Sequence, residues 1–278
     1  MKKASAALTL IVGLALLLSA CGTQPAEEGP EPCPTCPPTG VSTDLGGREI
    51  IVPLDMAYPP FSYADPETDE PTGFDLDFWN AVCEELNCEP NFVTASWEGF
   101  FEAMEAGEYD VGEGGLTLTL ARAMRVDVSM PYVEYGQVIL KTAGDDRAAF
   151  ADEETFVASD LTIGTQIGTT NEIAALKMVA DEDRVVSFET YDMPVVSLLA
   201  GDVDSVIIDE VSAVGFMQQH PGELEVAFTV TGGEYLVIFF PTKSDLLVPV
   251  NWAIKQMFED GTMDEICEKW LLRPCTPE

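Results

Sequence analysis

VVSFETYDMPVVSLLAGDVDSVIID, residues 185–209, holds two apolar runs of strand length on either side of a helical segment. The runs at 185–188 and 205–208 are short and rich in valine and isoleucine, which favours buried strands. Between them, 193–200 is predicted to be a helix that Gly201 ends, since glycine accepts the left-handed conformation that closes helices. The stretch therefore predicts a β-α-β unit.

The same alternation extends over most of the chain. Apolar runs predict further strands at 49–54, 91–93, 109–111, 161–164 and 234–240. Apolar residues at helical spacing predict helices at 75–87, 98–106, 171–180 and around Trp252 and Trp270. Strands alternating with helices indicate an α/β fold with mostly parallel strands, and two successive blocks of this kind indicate two lobes. Phe61, Phe74 and Phe78 are expected in the core.

The composition excludes several classes of protein. Of 278 residues, 46% are hydrophobic and 22% charged, which suffices for a folded core and excludes an intrinsically disordered chain. The 49 acidic and 13 basic residues give a formal net charge of −36. Such a chain repels phosphate backbones, so we expect no nucleic-acid partner. A cationic or zwitterionic small molecule suits the negative electrostatic field of this chain better, although acidic residues also occur simply as a solvated surface.

Residues 1–20 are typical of a secretory signal peptide. Two lysines precede an uncharged apolar run, 6–18, which is too short for a membrane span. Residues 18–21, Leu-Ser-Ala-Cys, resemble the bacterial lipobox, whose cysteine is lipidated; the alternative is an ordinary signal peptide with a chance cysteine. We expect an exported protein that lipid on Cys21 anchors to the extracytoplasmic face of the cell membrane. Residues 21–47, rich in Pro, Gly and Glu, are expected to form a disordered tether.

The other cysteines fall into close pairs. Cys33 and Cys36 form a CxxC in the tether, flanked by prolines and without further metal ligands nearby. A disulfide or unpaired thiols therefore suit this pair better than a redox motif or half a zinc site. The remaining candidates for disulfides are Cys83 with Cys88 and Cys267 with Cys275. Such pairing suits an oxidising, exported setting, although the sequence leaves the connectivity open.

Seven short motifs follow one another between residues 48 and 273. They are DMAYPPF at 55–61, TGFDLD at 72–77, SWEGF at 96–100, AGEYD at 106–110, LTLTLAR at 116–122, IGTTNE at 167–172 and GDVD at 201–204, leading to Asp209. In this order they resemble the motifs of the family 3 solute-binding proteins of ABC importers, which bind amino acids. The family commonly has Pro-Glu where Leu120 and Ala121 stand here, a departure that affects the start of a helix more than atoms facing a ligand.

A ligand carboxylate needs a fork of hydrogen-bond donors. Arg122 is the best candidate in a chain so poor in arginine. The Gly168-Thr169-Thr170 turn precedes a predicted helix, so its N–H groups and hydroxyls are expected to complete the anion site. The alternative for Arg122 is a surface ion pair with Asp127.

A ligand ammonium needs a carboxylate at the end of a buried strand. Asp209 stands there, directly after the strand at 205–208. The alternative is that Asp209 caps the following helix. The resemblance implies that Gly115 contributes a carbonyl and Thr117 a hydroxyl to the same head group.

The pocket for the ligand's side chain is implied by the resemblance. Tyr58 and Trp97 resemble its aromatic walls, Asp55 matches a position that can face a cationic or amide group, and Gln166 and Asn171 lie where specificity varies. A carboxylate beside aromatic rings favours a cation, so arginine, lysine or histidine is expected, with glutamine close behind. Glu113 is either a further acidic contact or points at solvent.

The resemblance implies a two-lobed, type II periplasmic-binding-protein fold. Lobe 1 would comprise 48–138 and 239–278, lobe 2 would comprise 139–238, and strands near 137–139 and 236–238 would form the hinge. A ligand bridging both lobes would close the clamp, which would then dock on an ABC permease. We expect a monomer without cofactor or metal.

Two other functions remain open. The same fold hosts cyclohexadienyl dehydratases, which act on arogenate or prephenate, and Glu172 would be the proton donor of such an enzyme. A receptor sensor domain is a third interpretation, which the lack of a second apolar span or an appended signalling domain disfavours. The sole histidine, His220, precedes a proline in a loop, so a Ser-His-Asp triad is not expected.

Overall fold

The computed structural model describes residues 40, 42–66, 68–112 and 115–275. Several sequence-based predictions lie outside these residues: the signal peptide 1–20, most of the tether 21–47, the lipid anchor Cys21, the Cys33–Cys36 pair and Glu113. Within the described part, no helix has the length and apolar character needed to cross a membrane.

The described residues form fourteen strands and nine α-helices. The strands are β1 (Arg48–Leu54), β2 (Ala57–Tyr58), β3 (Ser62–Ala64), β4 (Pro71–Thr72), β5 (Cys88–Thr94), β6 (Asp127–Val128), β7 (Val133–Tyr135), β8 (Gln137–Thr142), β9 (Ile163–Gln166), β10 (Val185–Phe188), β11 (Ser205–Asp209), β12 (Leu224–Thr229), β13 (Glu234–Leu236) and β14 (Phe239–Phe240). The helices are α1 (Phe74–Leu86), α2 (Phe100–Glu105), α3 (Leu120–Ala123), α4 (Glu153–Val157), α5 (Thr170–Met178), α6 (Met193–Ala200), α7 (Glu210–Gln219), α8 (Leu247–Asp260) and α9 (Thr262–Leu271). The predicted helix 193–200 is confirmed, and Gly201 ends it in the left-handed conformation.

The larger sheet has the order β10-β9-β11-β8-β12. Its strands β10, β9 and β11 are parallel, whereas β8 runs against both of its neighbours, β11 and β12. In the first lobe, β1 and β5 pair in parallel beneath α1. The prediction of mostly parallel strands is wrong, because β8 enters the larger sheet antiparallel and the short pairings β13–β7 and β14–β6 are antiparallel too.

Two predicted strands differ from the structure. The strand expected at 109–111 is not formed; instead, Gly112 makes an isolated antiparallel bridge with Phe239. The long strand expected at 234–240 is divided into β13 and β14. Between them, the backbone N–H of Ile238 donates to the hydroxyl of Ser129 at 2.9 Å and not to a backbone carbonyl.

The aromatic core of the first lobe is as expected. Phe61, Phe74 and Phe78 are fully buried, and Phe74 stacks on Phe78 with 5.9 Å between ring centroids. Fully burying a side chain of this size stabilises the fold by about 2–3 kcal/mol. The core therefore holds β2, β3 and α1 in fixed positions beside the cleft described below.

In the part of the chain that the structure describes, two disulfides fasten the ends of helices. Cys83 of α1 bonds to Cys88 at the start of β5, and Cys267 of α9 bonds to Cys275 in the C-terminal segment. Both are local pairs of the kind that the spacing indicates.

Among the described residues, two connections link the β7–β13 pair to the larger sheet. Gly136 joins β7 to β8, and residues 230–233 join β12 to β13. The lobe limits at 138 and 238 remain predictions. Near these crossings, α7 packs directly on the Pro59–Pro60 backbone, because Gly215 has no side chain there. A Cβ atom at Gly215 would lie only 2.6 Å from the backbone nitrogen of Pro60.

Candidate ligand-binding site

One cleft of the described structure brings together every ligand-binding residue that the sequence predicts. They are Asp55, Tyr58, Trp97, Gly115, Thr117, Arg122, Gln166, Thr169, Thr170, Asn171 and Asp209. Ala95, Ser96, Phe100, Leu116 and Tyr191 complete the lining. The space inside the cleft that water-sized molecules can occupy is about 50 Å³, so the cleft is narrow.

Asp209 ends strand β11 inside the cleft. One carboxylate oxygen accepts a hydrogen bond from the hydroxyl of Tyr58 at 2.7 Å, and the other accepts one from the amide of Asn171 at 2.8 Å. Burial raises the pKa of Asp209 to about 6, although these hydrogen bonds act to lower it. The residue stands directly before α7, but its side chain makes no capping hydrogen bond to that helix. The helix-cap alternative is therefore wrong.

Arg122 reaches the cleft from α3. Its Nη1 donates to the carbonyl of Thr117 at 3.0 Å, and its guanidinium lies 5.1 Å from the ring centroid of Trp97. Burial lowers the pKa of this guanidinium. Asp127 instead accepts the backbone N–H of Lys243, so the surface ion pair considered for Arg122 is not formed. Most of the five N–H donors of Arg122 remain for a bound anion.

The turn before α5 offers fewer donors than expected. The N–H of Gly168 donates to the carboxylate of Glu172 at 2.7 Å, and the hydroxyl of Thr169 donates to the carbonyl of Gln166 at 2.7 Å. The hydroxyl of Thr170 lies 3.3 Å from that of Thr117 across the cleft. Thr170 is therefore the hydroxyl of this turn that is best placed for a ligand.

Glu172 points away from the cleft. Besides the N–H of Gly168, its carboxylate accepts the hydroxyl of Ser187 in β10 at 2.5 Å. It is absent from the lining of the cleft. A proton donor must lie within hydrogen-bond reach of the substrate, so this geometry does not fit the role that a dehydratase would require.

Asp55 lies at another part of the cleft wall. Its Oδ1 accepts the backbone N–H of Ala57 at 3.1 Å. Burial is the main cause that raises the pKa of Asp55, with a further contribution from the charge of Asp192. Because an opposite charge would relieve both effects, this carboxylate suits a cationic group. The amide of Gln166 is held by the carbonyl of Glu189 at 3.0 Å.

Tyr191 is a cleft residue that the sequence analysis missed. Its ring centroid lies 4.1 Å from that of Tyr58, and its hydroxyl accepts the N–H of Asp209 at 3.4 Å. It follows a strand of the predicted β-α-β unit, where side chains often face a ligand, and this position was the available signal. Among the described residues, no three His, Cys, Asp or Glu side chains group in a way that could hold a metal ion.

Comparisons with known proteins find relatives over most of the chain. The family model of bacterial extracellular solute-binding proteins, family 3, matches residues 50–273. The arginine-binding periplasmic protein of Mannheimia haemolytica is 28% identical over 229 residues, 81% of this chain and 91% of the relative. The L-cystine-binding protein TcyJ of Escherichia coli K12 is 26% identical, with 80% and 82% covered. The crystal structure of the arginine-, lysine-, histidine-binding protein ArtJ from Geobacillus stearothermophilus is 30% identical, with a TM-score of 0.73 and coverage of 82% and 96%.

Proposed function

Because the chain belongs to the bacterial extracellular solute-binding proteins, family 3, we propose that it captures a free L-amino acid and delivers it to an ABC permease. It has the two-lobed type II fold of its relatives and, like them, is an amino-acid-binding protein rather than an enzyme. The observation that carries the proposal is the placement of Arg122 and Asp209 in one cleft. A guanidinium and a carboxylate in one cleft match the carboxylate and ammonium of a zwitterion.

The side chain of the ligand is proposed to be cationic: arginine, lysine or histidine, with glutamine next. Support comes from Asp55, whose pKa is raised mainly by burial, and from the aromatic rings of Tyr58 and Trp97 in the same lining. The names of the Mannheimia and Geobacillus relatives agree with a cationic ligand. The cystine-binding relative supports keeping other polar amino acids in the screen.

The test is a thermal-shift screen of the purified protein against the twenty amino acids, arogenate and prephenate. A ligand that binds only the native state must raise the melting temperature. We expect a rise with arginine or lysine that is lost in Arg122→Ala and in Asp209→Ala. The proposal would be contradicted if no amino acid raised the melting temperature and the protein released phenylpyruvate from prephenate.

Attachment to the membrane is proposed on the sequence alone. Residues 18–21 resemble a lipobox, and lipid on Cys21 would keep the protein near its permease. Expression in a bacterial host should place the protein in the membrane fraction, and Cys21→Ala should release it or leave its signal peptide uncleaved. A wild-type protein whose mature N-terminus carries no lipid by mass spectrometry would refute the anchor.

A further inference from the structure

Glu234 collects hydrogen bonds where the chain crosses back from β12 to β13. The amide of Gln137 donates to both of its oxygens at 3.1 Å, the hydroxyl of Tyr135 donates to Oε2 at 3.3 Å, and the hydroxyl of Thr231 donates to Oε1. A carboxylate only accepts hydrogen bonds. The protons of all three side chains are therefore turned towards Glu234.

Tyr135 connects Glu234 to the cleft through a second hydrogen bond. Its oxygen lies 2.6 Å from the hydroxyl oxygen of Thr117, which lines the cleft. Because a carboxylate is a stronger acceptor than a hydroxyl, the single proton of Tyr135 goes to Glu234, and its oxygen accepts the proton of Thr117. Burial raises the pKa of Tyr135, so the phenol keeps its proton. With its proton given to Tyr135, the oxygen of Thr117 is left to accept, from the hydroxyl of Thr170 at 3.3 Å or from a group in the cleft.

We propose that Glu234, acting through Tyr135, is a positioning residue that fixes the hydroxyl of Thr117 as an acceptor and makes the cleft select an α-ammonium. The inference rests on the proposed function of amino-acid capture. An ammonium has three donors and no acceptor, whereas a hydroxyl has one donor. A wall of acceptors formed by Thr117 and Asp209 therefore favours an amino acid over the corresponding α-hydroxy acid.

Glu234→Gln should reverse the direction of the hydrogen bonds from residue 234 to Thr117 while keeping a side chain of the same size. The hydroxyl of Thr231 already accepts the backbone N–H of Gln137 at 3.0 Å. Its own proton therefore needs an acceptor at the position that Oε1 of Glu234 occupies. The glutamine oxygen therefore takes that position, and its amide nitrogen faces Tyr135. Tyr135 then accepts from the amide and turns its proton to Thr117, whose proton turns into the cleft.

The test is calorimetric titration with L-arginine and with its analogue bearing a hydroxyl in place of the α-ammonium. In Glu234→Gln we expect affinity for L-arginine to fall about tenfold, which is the effect of one misdirected hydrogen bond to a charged group. Affinity for the hydroxy analogue should stay within about twofold. The control is Glu134→Gln, which removes an exposed carboxylate from the neighbouring strand and should change neither affinity.

A second variant keeps the inference testable if Glu234→Gln folds poorly. Tyr135→Phe removes the relay, so the preference for L-arginine over the analogue should fall, and adding Glu234→Gln should lower it no further. Equal losses of affinity for both ligands would mean that Glu234 only supports the fold. That result would overturn this inference and leave the proposed function standing. If L-glutamine binds and L-arginine does not, the glutamine pair serves as the probe. A wild-type protein that binds no amino acid would overturn the proposed function as well.

Discussion

The indole of Trp97 donates its Nε1–H to the backbone carbonyl of Ile167, with 3.0 Å between the nitrogen and the oxygen. Trp97 follows β5 of the β1–β5 sheet, and Ile167 follows β9 of the five-stranded sheet. The bond therefore joins segments that follow two different sheets. The same ring lies against the guanidinium of Arg122, so one side chain contacts both the segment after β9 and the charge proposed to hold the ligand.

Trp97→Phe should weaken ligand binding moderately. Phenylalanine keeps a ring near Arg122 but lacks the N–H that bonds to Ile167, which is worth about 1 kcal/mol or roughly fivefold in Kd. Calorimetry with L-arginine measures the change. Trp252→Phe is the control, because the Nε1 of Trp252 is buried without a hydrogen-bond partner in the described structure. Equal losses in the two variants would refute the role of this bond.

Arg122→Lys should weaken binding more strongly. Lysine keeps the positive charge but not the planar fork that matches a carboxylate, and we expect a loss of about 2 kcal/mol, or roughly thirtyfold in Kd. The matched control is Arg125→Lys. Arg125 pairs on the surface with Glu102 and Glu105, so this change should leave the Kd unaltered. An unaltered Kd in Arg122→Lys would show that the carboxylate binds elsewhere.

Ligand affinity should depend on pH through Asp209. Its pKa is raised to about 6, chiefly by burial, and only the ionised carboxylate attracts an ammonium. Affinity for L-arginine should be flat above about pH 7 and fall by up to roughly tenfold per pH unit below 6. Asp55 has a raised pKa too, so the slope must also be measured in Asp55→Asn. Loss of the slope in that variant would assign the titration to Asp55.

Ionisation of Asp209 raises the affinity for the ligand but lowers the stability of the unliganded protein. The folded, unliganded protein holds the proton of Asp209 more tightly than the unfolded chain does. Asp209 therefore contributes stability that is complete below about pH 4 and is lost as the pH rises through 6. The melting temperature of Asp209→Asn should accordingly change less than that of the wild type between pH 5 and 7. An identical pH dependence in the two proteins would contradict this.

Removing the C-terminal disulfide should destabilise the protein. Replacing Cys267 and Cys275 by serine opens a loop whose ends are 8 residues apart, which corresponds to about 2–3 kcal/mol on the chain-entropy model. For a chain of this size the melting temperature should fall by about 5–10 °C. Calorimetry of the variant, compared with the wild type under the same conditions, measures the shift. No shift would mean that packing alone holds α9 and the segment after it.

The sequence was informative where short motifs stand at the ends of predicted strands. Asp209 is predicted as a cleft residue because a carboxylate at the end of a buried strand can meet a ligand ammonium, and it ends β11. Asp55 is predicted from its family motif, which stands directly after β1. Which donors are already used could not be predicted: the N–H of Gly168 bonds to Glu172, and this depends on one side-chain rotamer. Glu234 was missed for another reason. It contacts Tyr135 across 99 residues, a pairing that arises only once both crossings are formed.

The missing side chain at Gly215 has a consequence for substitutions in α7. Where α7 meets Pro60, backbone packs on backbone, and a Cβ atom at position 215 would lie 2.6 Å from the Pro60 nitrogen. Even alanine at this position would therefore force α7 away from the Pro59–Pro60 segment. Because α7 begins directly after Asp209, position 215 admits no side chain as long as the cleft keeps its present geometry.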